Sequence, residues 1–161
     1  MKVSVIYHSE SGNTASIADA ISKGASLGGT VESKSMHIDK IDQNFIEESS
    51  AVIIGCPTYG GTYSWQIKKW LDTAKINLRG KLGSAFATEN HIGGGADIAE
   101  LGILGHLLVK GMLVYTAGNV KEENVMLHYG AVAIRSGDEY QQKRASALGK
   151  AVAEKAKELF S

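Results

Sequence analysis

A chain of 161 residues fits one domain, 1–161, that can bury a core without disulfides or a structural metal. Its 43% hydrophobic and 21% charged content describes an ordered globular chain, and 17 basic against 17 acidic residues cancel to zero, without the basic excess of a nucleic-acid binder. The lone Cys56 excludes an internal disulfide, a CxxC pair and a zinc cluster.

The chain opens on Lys2 to Tyr7, β-branched and apolar at alternate positions, which predicts a strand. Asn13 to Ala25 carries Ile17, Ala18, Ile21 and Ala25 at helical spacing, and Gly28 and Gly29 stop it. Thr30 to Ile38 is a second strand and Asp42 to Ser49 a short helix with Phe45 and Ile46. Ala51 to Gly55 is a continuous apolar run, the pattern of a strand covered on both faces. Tyr63 to Ala74 is helical through Trp65, Ile67, Trp70 and Leu71, and Trp65, Trp70 and Tyr63 suit either a core or an interface. Leu82 to Thr88 is a fourth strand, Ala96 to Lys110 a helix whose Gly102 and Gly105 permit close packing, and Met112 to Thr116 a fifth strand. Ala117 to Ser136 loops out and returns through Ala131 to Ile134 as an added extended piece, before a last helix, Glu139 to Phe160. The apolar runs Ala51 to Gly55 and Leu101 to Leu108 are too short to cross a bilayer, and no signal-like segment precedes the first strand. A cytoplasmic protein with no membrane partner is expected.

Strands alternating with helices imply parallel pairing through right-handed crossovers, hence an α/β, three-layer, doubly wound sandwich. Ligands of such sheets collect where loops leave the carboxyl ends of the strands. Three such loops are unusual. Ser9-Glu10-Ser11-Gly12-Asn13-Thr14 sets hydroxyl and amide donors around a glycine at a helix start, a phosphate site without a cation. It is neither a P-loop nor a dinucleotide fingerprint. Cys56-Pro57-Thr58-Tyr59-Gly60-Gly61 holds the only proline, two glycines and a tyrosine able to cover a planar ring. Thr88-Glu89-Asn90-His91-Ile92-Gly93-Gly94-Gly95 brings a triple glycine, as flexibility or as close approach to a ligand.

The first loop resembles the flavodoxin phosphate loop, S/T-x-T-G-N-T, with Ser11 keeping the hydroxyl of the usual threonine. The resemblance implies a flavodoxin-like fold, a five-stranded parallel sheet in order 2-1-3-4-5, and FMN with its phosphate on Ser9, Ser11, Gly12, Asn13 and Thr14, with Glu10 among the cofactor-binding residues of the same loop. The second loop resembles the P-T-Y-G loop of flavodoxin-fold oxidoreductases, which implies that Pro57, Thr58, Tyr59, Gly60 and Gly61 border the flavin ring. Phe86 to Asp97, Lys110 to Val114 and Tyr129-Gly130-Ala131 are similar to segments of the tryptophan-repressor-binding-protein family of NAD(P)H:quinone oxidoreductases. By that resemblance Thr88, Glu89, Asn90, His91 and Gly93 lie at the pyrimidine end of the flavin. Where that family has paired histidines this chain has Val109 and Lys110, and the family's long insertion after strand two is missing.

Two functions follow. In one, NADH or NADPH reduces FMN and electrons pass to a quinone-like small molecule, with a homodimer or homotetramer completing the site. In the other, the chain is a one-electron carrier between redox partner proteins. Carriers are strongly acidic and this chain is neutral, so the reductase is favoured. No metal is expected. His91, in the third loop, is the one candidate catalytic residue; His128, which precedes Tyr129-Gly130, is the other histidine expected to be able to approach the flavin, while His8, His37 and His106 have structural roles.

Overall fold

The computed structural model describes residues 1–161. Its strands run where β-branched and apolar residues cluster. β1 (Lys2–Tyr7) pairs in parallel with β2 (Glu32–His37) on one side and β3 (Ala51–Tyr59) on the other. β3 carries β5 (Leu82–Glu89) in parallel and the two-residue β4 (Thr62–Tyr63) in antiparallel. β6 (Leu113–Val114) pairs with the start of β5, and β9 (Ala131–Ile134) pairs in parallel with its end. The order β2-β1-β3-β5-β6 follows the expected order of the five strands read from the sequence, but the sheet has seven strands rather than five, β4 and β9 joining it at β3 and β5.

Both faces of this sheet are covered. Ile17 and Ile21 of α1 (Asn13–Ala25) and Leu148 and Val152 of α5 (Glu139–Phe160) pack against Val3, Val5, Ile53 and Phe86. On the other face Phe45 and Ile46 of α2 (Gln43–Glu48), Ile67 and Leu71 of α3 (Trp65–Thr73), and Ile103 and Leu107 of α4 (Ala96–Val109) meet Ile6, Val52 and Ile54. Fully burying each such side chain contributes roughly 1.5–3 kcal/mol, so the two apolar layers dominate the stability of the fold. No helix is long and apolar enough to cross a membrane.

Three boundaries differ from the sequence reading, each for a tertiary reason. β3 runs past Gly55 to Tyr59, because Thr58 and Tyr59 pair with Tyr63 and Thr62 across Gly60-Gly61. Those glycines sit at φ 60° and 78°, the left-handed pair that a two-residue hairpin needs. Tyr63 is therefore a strand residue, and α3 starts after Ser64. The fifth strand is cut to Leu113–Val114, and the chain leaves the sheet soon after, at Ala117 with φ 64°. It makes a small hairpin, β7 (Asn119–Val120) and β8 (Val125–Met126), and returns as β9, the extended piece expected at Ala131 to Ile134. Gly102 does permit close packing, since a Cβ there would lie 2.5 Å from the Tyr63 ring; Gly105 faces open space and packs against nothing.

Candidate functional site

The loop after β1 and the carboxyl-terminal ends of β3 and β5 with the residues that follow them converge at one sheet edge, with β2 and β3 on opposite sides of β1 at the switch point. There they enclose a cleft of about 250 Å³. The first loop contributes Glu10, Ser11, Asn13 and Thr14; the second Pro57, Thr58 and Tyr59; the third Thr88, Glu89 and Asn90. The structure thus gathers ten of the expected residues around a single space.

At one end stands the start of α1. Gly12 (φ 88°) is its N-cap residue, donating its N–H to Ser9 Oγ at 3.1 Å while its carbonyl accepts the Ser16 N–H at 3.0 Å. No side chain caps α1 and no acid occupies its first turn. Its first N–H groups and the positive end of its dipole are therefore left for an anion. α4 begins likewise after a left-handed glycine, Gly95 at φ 98°, but Glu89 accepts the Ala96 N–H at 3.2 Å and Asp97 sits in the first turn. Glu89 thus serves a helix start as well as the cleft wall. A buried hydroxyl pair, Thr14 Oγ1 and Thr88 Oγ1 at 2.8 Å, ties the α1 start to the end of β5.

The β3–β4 hairpin holds Tyr59 in the cleft lining, 36% exposed. Gly60 and Gly61 form the hairpin tip, outside the cleft lining, and the Gly61 carbonyl lies 2.4 Å from where a Gly95 Cβ would stand. The second and third loops therefore touch where only a glycine fits. Burial, then nearby Glu10, pushes the Tyr59 hydroxyl pKa up, so it stays protonated. Gln66 of α3 donates to Glu10 Oε1 at 3.1 Å.

His91 is exposed and outside the cleft lining. Gly93 and His128 line a neighbouring cavity of about 530 Å³ with Arg144. Trp65 is 63% exposed and Trp70 half-buried, so Trp65 belongs to the surface. Sequence reasoning missed Arg135, the one cation in the cleft. Its N–H donates to the Glu89 carbonyl at 2.7 Å, just beyond the β5–β9 pairing. No local signal marks it, because its position depends on a strand pairing across more than forty residues of chain. Cys56 is buried and its thiol pKa is pushed up to about 12 by burial, so the thiol stays protonated and inert.

An uncapped helix start, hydroxyls beside it and a polar cleft that includes Tyr59 mark a flavodoxin-like α/β protein whose cleft could hold a phosphate with an attached planar group. The flavodoxin family profile matches residues 5–91. The chain is similar to a flavodoxin of Clostridium saccharobutylicum, 44% identical over 99% of this chain and 100% of the relative. It is also similar to an NAD(P)H dehydrogenase (quinone) of Archaeoglobus fulgidus, 28% identical over 98% of each chain. A solved flavodoxin from the domain Archaea superposes with TM-score 0.78 over 98% of this chain and 99% of that one, at 24% identity. The chain belongs to the flavodoxin family, and membership implies FMN.

The chain's own features fit that group: the α1 start is uncapped and free of acids, and a Cβ on Gly12 would meet nothing within 4 Å. The expectation of an NAD(P)H-dependent quinone reductase is corrected here. The full-length likeness at 44% is to a flavodoxin, whereas the quinone dehydrogenase aligns at 28% over 188 positions, more than this chain possesses, and so carries segments absent here. A neutral total charge does not exclude a carrier, because net charge is a property of the whole surface. Around the cleft, Glu10 and Glu89 stand against Arg135 alone.

Proposed function

We propose that this chain is a flavodoxin that carries single electrons between redox partner proteins through non-covalently bound FMN. The observation that carries this reading is the 44% identity with a flavodoxin along essentially the whole of both chains. Bound FMN supplies the one-electron chemistry; the chain supplies position and electrostatics. Ser9, Ser11, Gly12, Asn13 and Thr14 hold the phosphate at the α1 start. Pro57, Thr58 and Tyr59 border the ring, with Thr88, Glu89 and Asn90 at its far side. His91 has no part, being exposed outside the cleft.

Glu10 and Glu89 outnumber Arg135 around the cleft, a local acidic excess that suits a basic patch on a partner protein and would speed encounter at low salt. The electron donor is then a reduced partner protein rather than NADH or NADPH, and neither a quinone nor a second subunit is needed. A cytoplasmic setting agrees with the single, unreactive thiol.

The test is anaerobic mixing of FMN-reconstituted protein with NADH and with NADPH. The expected result is that neither nucleotide alone bleaches the flavin, whereas adding a ferredoxin-type reductase with NADPH does. Rapid bleaching by either nucleotide alone overturns the carrier reading.

A further inference from the structure

His8 follows the last residue of β1, and it is 5% exposed. Its ring meets the Tyr59 ring nearly edge-on, with centroids 6.1 Å apart and planes at 79°. Its Nδ1 is buried without a hydrogen-bond partner. Its Nε2 lies 3.8 Å from Glu10 Oε1, beyond hydrogen-bond reach, and that oxygen already accepts from Gln66. The His37 ring is 5.7 Å away at the end of β2, with Asp39 Oδ2 3.4 Å from His37 Nδ1. The sequence reading gave His8 a structural role only.

We propose that His8 is a positioning residue that in its neutral form braces Tyr59 against the bound ring, and that its protonation at acid pH loosens both Tyr59 and FMN. The inference rests on the reading of the cleft as the FMN site. A neutral imidazole needs one donor and one acceptor interaction; an imidazolium needs two acceptors, and this pocket offers neither at bonding distance. The groups facing His8 are Glu10 from the first loop, His37 and Asp39 from the end of β2, and Tyr59 from β3. Glu10 and Asp39 favour the cation; burial, the largest influence, and His37 oppose it and win, so the pKa lies below the ordinary histidine value. A flavin laid over Tyr59 removes more water from this pocket and disfavours the cation further. Binding therefore expels a proton wherever His8 is charged in the free protein, and affinity falls as pH falls. In folding, likewise, the contribution of neutral His8 is complete above the unfolded-chain value near 6.5 and is lost as pH drops through the lowered native value.

The experiment measures FMN dissociation constants by quenching of flavin fluorescence from pH 8 to pH 5, for the wild type, His8→Gln and His8→Phe. The FMN phosphate itself titrates near pH 6, and this contribution is shared by all three proteins. The expected result is a wild-type dissociation constant that rises up to about tenfold per pH unit more steeply than in either variant, the limit for one linked proton. The His8 ring signal in proton NMR is expected to titrate at lower pH in the FMN-loaded wild type than in the free protein, a readout that needs no variant to fold. Parallel curves for wild type and variants, or an unmoved His8 titration, overturn the role of His8 while leaving the FMN site standing. A wild type that never quenches flavin fluorescence overturns the site reading and this inference together.

Discussion

Glu100 lies on α4 fully buried, with neither carboxylate oxygen hydrogen-bonded. A Cβ on Gly130 would stand 2.6 Å from its Oε1, so the chain entering β9 presses directly on it. Burial first, then the negative charge of Asp97, holds its pKa well above the ordinary carboxylate range, and Arg144 offsets this only in part. The native protein therefore keeps a proton that the unfolded chain gives up above roughly pH 4.3. Stability linked to this group is complete below that value and is lost as pH rises toward the native pKa. Glu100→Gln, which cannot ionise, is expected to gain on the wild type by up to about 1.4 kcal/mol per pH unit across that window. Urea unfolding of both proteins from pH 4.5 to 8 measures the difference, and a gap that does not change with pH would refute it. Glu100 was illegible in the sequence because an acid three residues from Asp97 reads as a solvated helix face. Its burial comes from β9, whose pairing with β5 no local pattern announces. The residues of the first loop were legible for the opposite reason, since donors, glycine and helix start all lie within six consecutive positions.

The pairing of α1 with α5 shows what period-based reading delivers and what it leaves out. The apolar positions Ile17, Ile21, Leu148 and Val152 announce both helices and their buried faces. They do not announce how near the axes come. A Cβ on Gly149 would lie 1.9 Å from the Ile21 carbonyl oxygen, and one on Gly24 would lie 2.0 Å from that of Ser146. Backbone, not a flexible side-chain end, occupies the space, so the helices must separate to admit a methyl group. Alanine in a helix is favoured over glycine by about 1 kcal/mol, whereas forcing a packed interface apart costs about 1–3 kcal/mol. Gly149→Ala is therefore expected to destabilise the protein despite its better helix propensity, and denaturant titration decides the sign. A variant at least as stable as the wild type would show that the helices part freely. The strand boundaries follow the same logic. β1 and the first half of β3 are fixed by their own apolar runs, while the second half of β3 exists because Gly60-Gly61 turns the chain back to pair Thr58 with Tyr63.

Over the whole molecule, three strand ends, one uncapped helix and one hairpin serve a single cleft. The family resemblance carried the order of the five central strands, whereas charge misdirected the choice of function, since a formal charge of zero carries no record of where the charges lie. The division of labour inside the cleft is itself testable through the stability of the fold. A ligand that binds only the native state stabilises it by RT ln(1 + [L]/Kd), about 2.7 kcal/mol at a hundredfold excess over Kd. For a chain of this size that corresponds to a rise in Tm of roughly 5–11 °C. Riboflavin has the same ring system as FMN without the phosphate, so it would leave the α1 N–H groups and the hydroxyls of Ser9, Ser11 and Thr14 without their anion. At the same ligand concentration FMN is expected to raise Tm by this amount, and riboflavin by clearly less, in differential scanning calorimetry. Ser11→Ala and Asn13→Ala are expected to narrow the gap by lowering the FMN value toward the riboflavin one. Equal shifts for the two ligands would mean that the ring alone is bound, and the start of α1 would then have to be removed from the site.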